Sequence, residues 1–457
     1  MRMLASRAAA IALLVDVEGC NLAPRYVQPP AAVPPAWPSG PAYAPNVDEP
    51  AGLPWRRVLT DPRLITVVER ALANNQNLAV TVANVEASNA IYRAQRSTLL
   101  PTLAGSASAS VSSANVGRAA NAGAGVSAFT LDLFGRQRNL TAQVFDQYLA
   151  SDAGYRSTRI TLIGQVATAY ATLASDRDLL AVARQTYGSA GQSLKITQQL
   201  LGAGLAARTD VANAETLFAT ARADIANETT FVAQDRNLLE LLVGEPVQDA
   251  LLPATLAQVD TTVQTVPAGL SSRVLLQRPD IRQAEYTIRA TDANIGVARA
   301  AFFPEISLTA LAGVASRGLT SLFTNPAFAV TGTGAATLPL LGGPTRANLD
   351  LARAQQRAAV AQYRYTVQIA FREVADGLAR RGTIVEQRAA QAEYVQSSAL
   401  AERLLLQQYQ VGIGTFLDSL IAQRTAYAAR RAEIGVILTD VNNRIALYQY
   451  IGSDDGR

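Results

Sequence analysis

Two stretches of the chain share one order of apolar positions, in which a helix ends at a proline and a strand follows. In the later stretch, Ile281 and Ile295 recur at helical spacing, the helix stops at Pro304, and alternating small residues then predict a strand. The earlier stretch, Asn77–Val111, repeats this order with Pro101 in the place of Pro304. The repetition predicts one fold built from two similar halves.

Four stretches of about ten residues alternate small apolar with small polar side chains, and this length crosses a bilayer when the strand is tilted. We predict strands at about residues 103–112, 123–134, 306–315 and 327–340, which carry almost no charge. The pattern favours strands between water and lipid, and the alternative is a pair of soluble hairpins that cap a helical bundle.

Four such strands cannot close a membrane barrel, because the smallest barrels have about eight strands and open edges are not allowed in lipid. The sequence therefore predicts that several chains share one barrel. Two copies would supply eight strands and three copies would supply twelve.

After each predicted hairpin comes a very long helix, over residues 137–201 and 345–411. In the first helix, apolar residues recur at heptad spacing, as in coiled coils: Val166, Leu173, Leu180, Tyr187, Leu194 and Leu201. Sixty-odd helical residues reach about 90–100 Å. Each helix ends at a glycine turn, where a second helix returns: Gly202 and Gly204 in the first half, Gly412 and Gly414 in the second.

These elements predict a division of the chain into six segments. Residues 1–19 form a lipoprotein signal peptide, 20–60 an acylated, proline-rich strap anchored by Trp37 and Trp55, and 61–245 the first repeat, which opens with one helix from about Asp61 toward Leu100. Residues 246–270 form a connector in the equatorial region, near the middle of the rods. Residues 271–452 form the second repeat, whose first helix starts at Arg278-Pro279-Asp280, and 453–457 a C-terminal tail.

Composition removes several function classes. The chain has no histidine, one cysteine and a net charge of +4. Without histidine, Ser-His-Asp and Cys-His nucleophilic sites and the usual zinc sites are excluded. The basic residues are spread along the predicted helices, so no nucleic-acid partner is expected. No stretch after the leader is apolar for long enough to predict a transmembrane helix.

The N-terminal leader has the features of a bacterial lipoprotein signal. Arg2 and Arg7 precede a short apolar run, and Gly19 precedes the single cysteine, Cys20. We predict that Cys20 becomes the first residue and carries covalent diacylglycerol and an N-acyl chain, with no other cofactor. Asn21 at the next position favours the outer membrane. The alternative is an ordinary leader with an incidental cysteine.

Several motifs carry a resemblance to a known family, and they are spread over the whole predicted mature chain. They are Cys20–Tyr26, Thr130–Arg136, Arg278–Ile281 with Ala300–Pro304, and Gly342-Gly343 followed by Arg346-Ala347-Asn348. In these residues the sequence resembles the TolC-like outer membrane efflux proteins, in the lipoprotein branch that includes OprM and NodT.

The resemblance implies a fold of α-helices with a membrane β-barrel. It implies a homotrimer that shares a 12-stranded barrel, continued by a periplasmic α-helical barrel. Such a protein is a passive gated duct in the outer membrane of a Gram-negative bacterium. Its partners are a periplasmic adaptor, an inner-membrane pump and outer membrane lipid, and it is not an enzyme.

The resemblance also implies a periplasmic gate at the two helix tips, Leu201–Glu215 and Tyr409–Gln423. Tyr409, Leu417 and Asp418 are similar to the tyrosine, apolar constriction and acidic ring of the family, and Asp210 matches an aspartate of an inter-helix lock. The basic lock partner of some members is Gly414 here, so Arg208 is a candidate partner for Asp210 or Asp418. The simpler interpretation of both aspartates is helix capping after a glycine turn.

Two other functions remain as alternatives. One is a lipid-anchored periplasmic coiled-coil scaffold without a pore. The other is an enzyme, for which paired carboxylates would be required, although the acidic residues are scattered along the predicted rods.

Overall fold

The computed structural model describes residues 21–30, 32–43, 54–112, 117–265, 272–317, 321–324, 327–340 and 343–451. The predicted signal peptide, the lipidation site Cys20, the predicted tail, Gly342 and the last five residues of the predicted connector lie outside these residues. The helices are α1 Trp55–Val58, α2 Pro62–Asn74, α3 Gln76–Ser97, α4 Arg136–Gly202, α5 Arg208–Val243, α6 Leu256–Thr262, α7 Pro279–Ala300, α8 Ser321–Thr324, α9 Thr345–Gln410 and α10 Phe416–Ile451. The strands are β1 Leu103–Ser112, β2 Gly117–Leu131, β3 Glu305–Ser316 and β4 Ala327–Thr337.

The chain forms two compact units, and each unit takes corresponding segments from both halves of the sequence. The first contains the described residues up to 30, Ala83–Gly154 and Asp280–Thr366. The second contains Ala32–Val82, Tyr155–Pro279 and the chain from Val367 onward. Of the helices that the structure describes, none combines the length and the apolar character needed to cross a membrane.

The first unit holds one antiparallel sheet of four strands in the order β1-β2-β3-β4. Every residue of β4 is exposed, including large apolar side chains such as Phe328 at 73% and Val330 at 69%. β1 begins in the same way, with Leu103 at 74%. The other described side chains of this unit therefore cover neither face of β4. The large apolar side chains of β4 nevertheless favour burial in an apolar phase.

Glycines let β2 and β3 approach closely. A side chain at Gly123 would place its Cβ 2.7 Å from the carbonyl oxygen of Ala312. The register shifts between Val126 and Phe129, where Ala128 adopts a φ of +51° and donates its N–H to Thr309 Oγ1 at 3.0 Å. This is a β-bulge, which increases the local twist of the sheet.

Two predicted strands end elsewhere in the structure. β2 covers 117–131 and not 123–134. It begins earlier because its pairing with β1 extends to Gly117 opposite Ser112. It ends at Leu131 because Asp132 leaves the sheet and accepts a hydrogen bond from the backbone N–H of Arg138 at 2.9 Å, in the first turn of α4. β4 ends at Thr337 and not at 340, because its pairing ends opposite Glu305, the first residue of β3. Pro339 could not donate to a continued ladder.

The helix predicted from Asp61 toward Leu100 is two helices, and the break is at Asn75. Asn75 has an extended ψ of 120°, and its side-chain amide donates to the carbonyl oxygen of Leu242 at 2.8 Å. Its side-chain oxygen accepts from the N–H of Leu78 at 2.9 Å, which caps α3. Gly244, at the end of α5, has a φ of +82° and no room for a side chain against the carbonyl of Asn74. The break is therefore fixed by a contact that lies far away in the sequence.

The predicted connector is more ordered than its sequence suggests. It contains a 3-10 turn at Asp249–Leu251 and the helix α6, whose first N–H donates to Asp178 Oδ2 at 2.9 Å. Asp260 on α6 pairs with Arg388 of α9 at 2.7 Å and with Arg444 of α10. These bonds fasten α6 to the long helices of the second unit.

The N-terminal strap is extended, and its aromatic side chains bind along helices. In the first unit, Tyr26 donates its hydroxyl to Glu285 at 2.9 Å, and the guanidinium of Arg289 lies 4.6 Å from the Tyr26 ring centroid. In the second unit, Trp37 stacks on Phe371 at 4.9 Å. Trp55 is completely buried, in the short helix α1 within the predicted strap.

The first three residues of the predicted heptad face of α4 point into the core of the second unit. Val166 and Leu173 are completely buried, and Leu180 is 9% exposed. The remaining three are half-buried: Tyr187, Leu194 and Leu201. Burial of side chains of this size contributes about 1.5–3 kcal/mol each.

Candidate functional site

The two longest helices, α4 and α9, end in the same turn. At the end of α4, the N–H of Leu205 donates to the carbonyl of Leu200 at 2.8 Å, and Gly204 donates to Leu201 at 2.9 Å. At the end of α9, Ile413 donates to Gln408 at 3.0 Å in the same way. This is the Schellman arrangement, which satisfies the last helix carbonyls and reverses the chain.

The four glycines predicted at the turns do different things. Gly204 and Gly412 have φ values of +72° and +81°, which side-chain-bearing residues rarely adopt. A Cβ at Gly414 would lie 2.9 Å from Cβ of Gln408, so Gly414 is needed for close approach. Gly202 is the last residue of α4 and has open space around it. Three of the four glycines are therefore required by the backbone.

Both predicted gate carboxylates cap their own helix. Asp210 Oδ2 accepts the N–H of Ala207 at 3.1 Å, at the start of α5. At the start of α10, Thr415 Oγ1 donates to Asp418 Oδ2 at 2.6 Å and accepts the N–H of Asp418 at 3.1 Å. The hydrogen bonds of the two aspartates are thus those expected at the starts of capped helices.

The structure does not bring the predicted lock residues together. Arg208 is exposed, and within the described part of the chain it makes no ion pair with Asp210 or Asp418. Leu417 is 53% exposed, as is Ile421 one turn further along α10. These two side chains face away from the core of the tip.

Tyr409 is half-buried and joins the two helix hairpins. Its hydroxyl lies 3.4 Å from that of Thr197 on α4, and its ring centroid lies 5.4 Å from that of Phe416. Tyr409, on α9, packs on an apolar cluster formed by the other three helices of the tip: Ala190 and Leu194 of α4, Ala214, Leu217 and Phe218 of α5, and Phe416 and Leu420 of α10. This tip cluster holds the two hairpins together.

Polar bonds beside the tip cluster also cross between the hairpins. Gln423, which is 5% exposed, donates to Ser193 Oγ at 3.1 Å, and Arg424 donates to Thr216. The sequence interpretation missed the tip cluster and these bonds. Helical spacing identified the apolar faces, but it does not state which helix each face meets.

Chemistry beyond packing is limited at this site. No group of three or more metal-ligating side chains that could hold a metal is found among the described residues. The side chains at this site join the two helix hairpins by non-covalent contacts, so the hairpins can separate without a covalent bond being broken.

Comparison with known proteins identifies the family. A family model described as "Outer membrane efflux protein" matches residues 67–245 and again 270–453, once in each half of the chain. The solvent efflux pump outer membrane protein SrpC of Pseudomonas putida is 39% identical over 454 residues, which cover 96% of each chain.

Two solved structures share the whole fold. A membrane protein from Pseudomonas aeruginosa superposes with a TM-score of 0.88 at 34% identity, over 95% of this chain and 100% of that one. The open state of the MtrE outer membrane channel of Neisseria gonorrhoeae gives a TM-score of 0.85 at 34% identity, over 94% of this chain and 98% of that one.

The four-stranded sheet and the long helices are thus the fold of outer membrane efflux channels. The protein is the outer-membrane channel component of an efflux system in a Gram-negative bacterium, with a periplasmic extension, and it is not an enzyme. Its homologues are outer membrane components of efflux pumps, so it works with the other components of a pump, and its family is one of channels without known cofactors. The chain belongs to the outer membrane efflux protein family.

Proposed function

We propose that three copies of this chain close their sheets into one membrane barrel, which forms a passive duct. The observation that carries this proposal is the sheet itself. Among the described strands, β1 and β4 each pair on one side only, so the sheet has two open edges. Open edges are not tolerated in lipid, and three four-stranded sheets would supply twelve strands and leave no edge.

The side chains of the sheet support a position in lipid. The only charged residues in the four strands are Arg118 in β2 and Glu305 in β3, and both lie near strand ends. Phe328 and Val330 share one face of β4, while Thr331 and Thr333 share the other. One face thus suits acyl chains and the other suits a water-filled lumen.

The duct takes its cargo from a periplasmic adaptor and an inner-membrane pump, and it supplies no energy. Apolar side chains at the tips support a contact with the adaptor: Leu205, Val411 and Ile413 are 76%, 70% and 78% exposed. Acyl chains on Cys20 would add a lipid anchor beside the barrel. One such anchor tethers a chain without spanning the membrane.

The resting duct is closed at the tips, where each chain presents Asp210, Leu417 and Asp418. Every ionic contact there would be repeated by symmetry. Because a single exposed ion pair contributes only about 0–1 kcal/mol, the copies must act together to hold the gate.

The test replaces Asp210 and Asp418 by Ala and measures the resting conductance of the purified protein in a planar bilayer. We expect conductance to rise, because the carboxylates would no longer be available for ionic contacts between neighbouring chains at the closed tips. Thr415→Ala is the control, since it removes the cap at the start of α10 and keeps the carboxylate of Asp418. If Asp418→Ala and Thr415→Ala behave alike, or if neither changes conductance, the carboxylates are caps and not gate residues.

A further inference from the structure

Arg431 on α10 is bound by three side chains, two of which belong to α5. Its guanidinium donates to Glu228 Oε1 at 2.9 Å and lies 3.5 Å from Asp224 Oδ2. It also donates to the hydroxyl of Tyr427 at 3.1 Å, and that hydroxyl donates to Asp224 at 2.6 Å. We call these four residues, Asp224, Glu228, Tyr427 and Arg431, the Arg431 network.

The Arg431 network extends from a buried carboxylate to a partly exposed guanidinium, since the side chains of Arg431 and Asp224 are 32% and 23% exposed. Glu228 is only 3% exposed, and its Oε2 has no hydrogen-bond partner. Burial raises the pKa of Glu228, and nearby Asp176 and Asp224 raise it further, while Arg431 lowers it. Burial, followed by the hydrogen bond to Asp224, raises the pKa of Tyr427 to about 12. Arg431 thus faces two carboxylates of α5, those of Asp224 and Glu228.

The Arg431 network supplies what the tip lacks. The tip carboxylates are bound to their own helix starts, and Arg208 pairs with neither of them. In the described residues, the ion pairs between α5 and α10 are those of Arg431 with Asp224 and Glu228. Any separation of α10 from α5 must break them. It would take the carboxylate of Glu228, which is 3% exposed in this structure, away from its counter-ion, and the loss of that ion pair is unfavourable.

We infer that Arg431 is a positioning residue of the gate, which holds α10 against α5 in the closed duct and must release Asp224 and Glu228 before the duct opens. This inference rests on the proposed gated duct. The ion pairs of Arg431 with α5, which we call the latch, lie more than three helical turns from the glycine turn of α9. The sequence pattern around the glycine turns does not identify these residues.

Arg430 provides a matched control on the same helix. It pairs with Glu402 at 2.8 Å, and Glu402 lies on α9, so this pair joins two helices of the same hairpin. Its carboxylate partner is also largely buried, with the Glu402 side chain 19% exposed. Arg431→Ala and Arg430→Ala therefore remove the same side chain and a similar ion pair, but only the first breaks a bond between hairpins.

The experiment measures the open probability of single channels for wild type, Arg431→Ala and Arg430→Ala, with the native mass of each as a check on assembly. We expect Arg431→Ala to raise open probability by about tenfold or more, because breaking the ion pair of Glu228, a carboxylate that is only 3% exposed, shifts a two-state equilibrium by at least that factor. Arg430→Ala should leave open probability near the wild-type value. Equal effects of the two variants, or no effect of either, would overturn the latch.

Two further variants keep the test decisive if Arg431→Ala does not assemble. Glu228→Gln keeps the shape of the side chain and removes its charge, and it should also raise open probability. Arg431→Lys retains the charge without the forked geometry and should restore part of the closure. In a double-mutant cycle, Glu228→Gln should add little to Arg431→Ala, because both break one bond. Fully additive effects of the two substitutions would contradict the role proposed for Arg431. A wild-type protein that never conducts would instead contradict the proposed duct.

Discussion

Single residues determine where the long helices of this protein begin and end. Gly204 and Gly412 reverse the chain through positive φ, and Thr415 caps the helix that follows. The sequence predicted both turns, because glycine after a long apolar pattern ends a helix. It could not predict that Gly202 is unconstrained or that Asn75 breaks a helix, because these depend on the space and the distant carbonyl that each residue meets.

A pair of aspartates joins α4 to α5 in the second unit. Burial and then a hydrogen bond shared with Asp235 together raise the pKa of Asp176 to about 7. Burial also raises the pKa of Asp235, whose Oδ2 has no other partner among the described residues. Below about pH 7, the folded protein therefore holds a proton on this pair of carboxyl groups.

This pair makes stability depend on pH. Because the pKa of Asp176 is higher in the folded state than its ordinary value of 3.8, the folded protein holds a proton that the unfolded chain releases. The stability that this proton contributes is fully present below pH 3.8, the ordinary pKa, and is lost as the pH rises through about 7. We expect Asp176→Asn to raise the thermal unfolding midpoint more when it is measured at about pH 8 than at about pH 5.

Asp376→Asn is the matched control for that measurement. Asp376 is 73% exposed on α9 and pairs only loosely with Arg372, at 3.8 Å. Its replacement should leave the pH profile of the wild type unchanged. If Asp176→Asn shifts the midpoint equally at both pH values, the shared proton is absent.

The elements themselves follow from the sequence, but their partners do not. Alternation of small residues predicted four strands, since strand side chains alternate between faces. Heptad spacing predicted the buried face of α4, and Val166 and Leu173 are completely buried there. The Arg431 network was missed, because spacing along α10 does not show that it meets α5. Strand ends were misplaced where Asp132 and Pro339 leave the sheet.

The two faces of β4 give a direct test of its position in lipid. Val330→Arg places a charge on the apolar face, which costs about 2–4 kcal/mol near the middle of a bilayer. Thr331→Arg places the same charge on the polar face, where it should be tolerated. We expect the first variant alone to reduce the fraction of assembled protein in the outer membrane fraction. Equal assembly of both variants would show that neither face meets lipid.

At the scale of the whole molecule, two halves of the sequence build each compact unit together. The sheet of the first unit takes β1 and β2 from one half and β3 and β4 from the other. The second unit brings the returning helices α5 and α10 together in the same way. The sequence indicated this duplication through repeated prolines and glycines. The number of copies in the assembly is a further prediction, which rests on the open edges of the sheet.

The native mass of the detergent-extracted mature protein tests this account most directly, because the duct requires several chains to share one barrel. The account predicts a complex of three chains, which closes twelve strands from three four-stranded sheets. A stable monomer would contradict it, since the edges of β1 and β4 would then stay unpaired in the membrane.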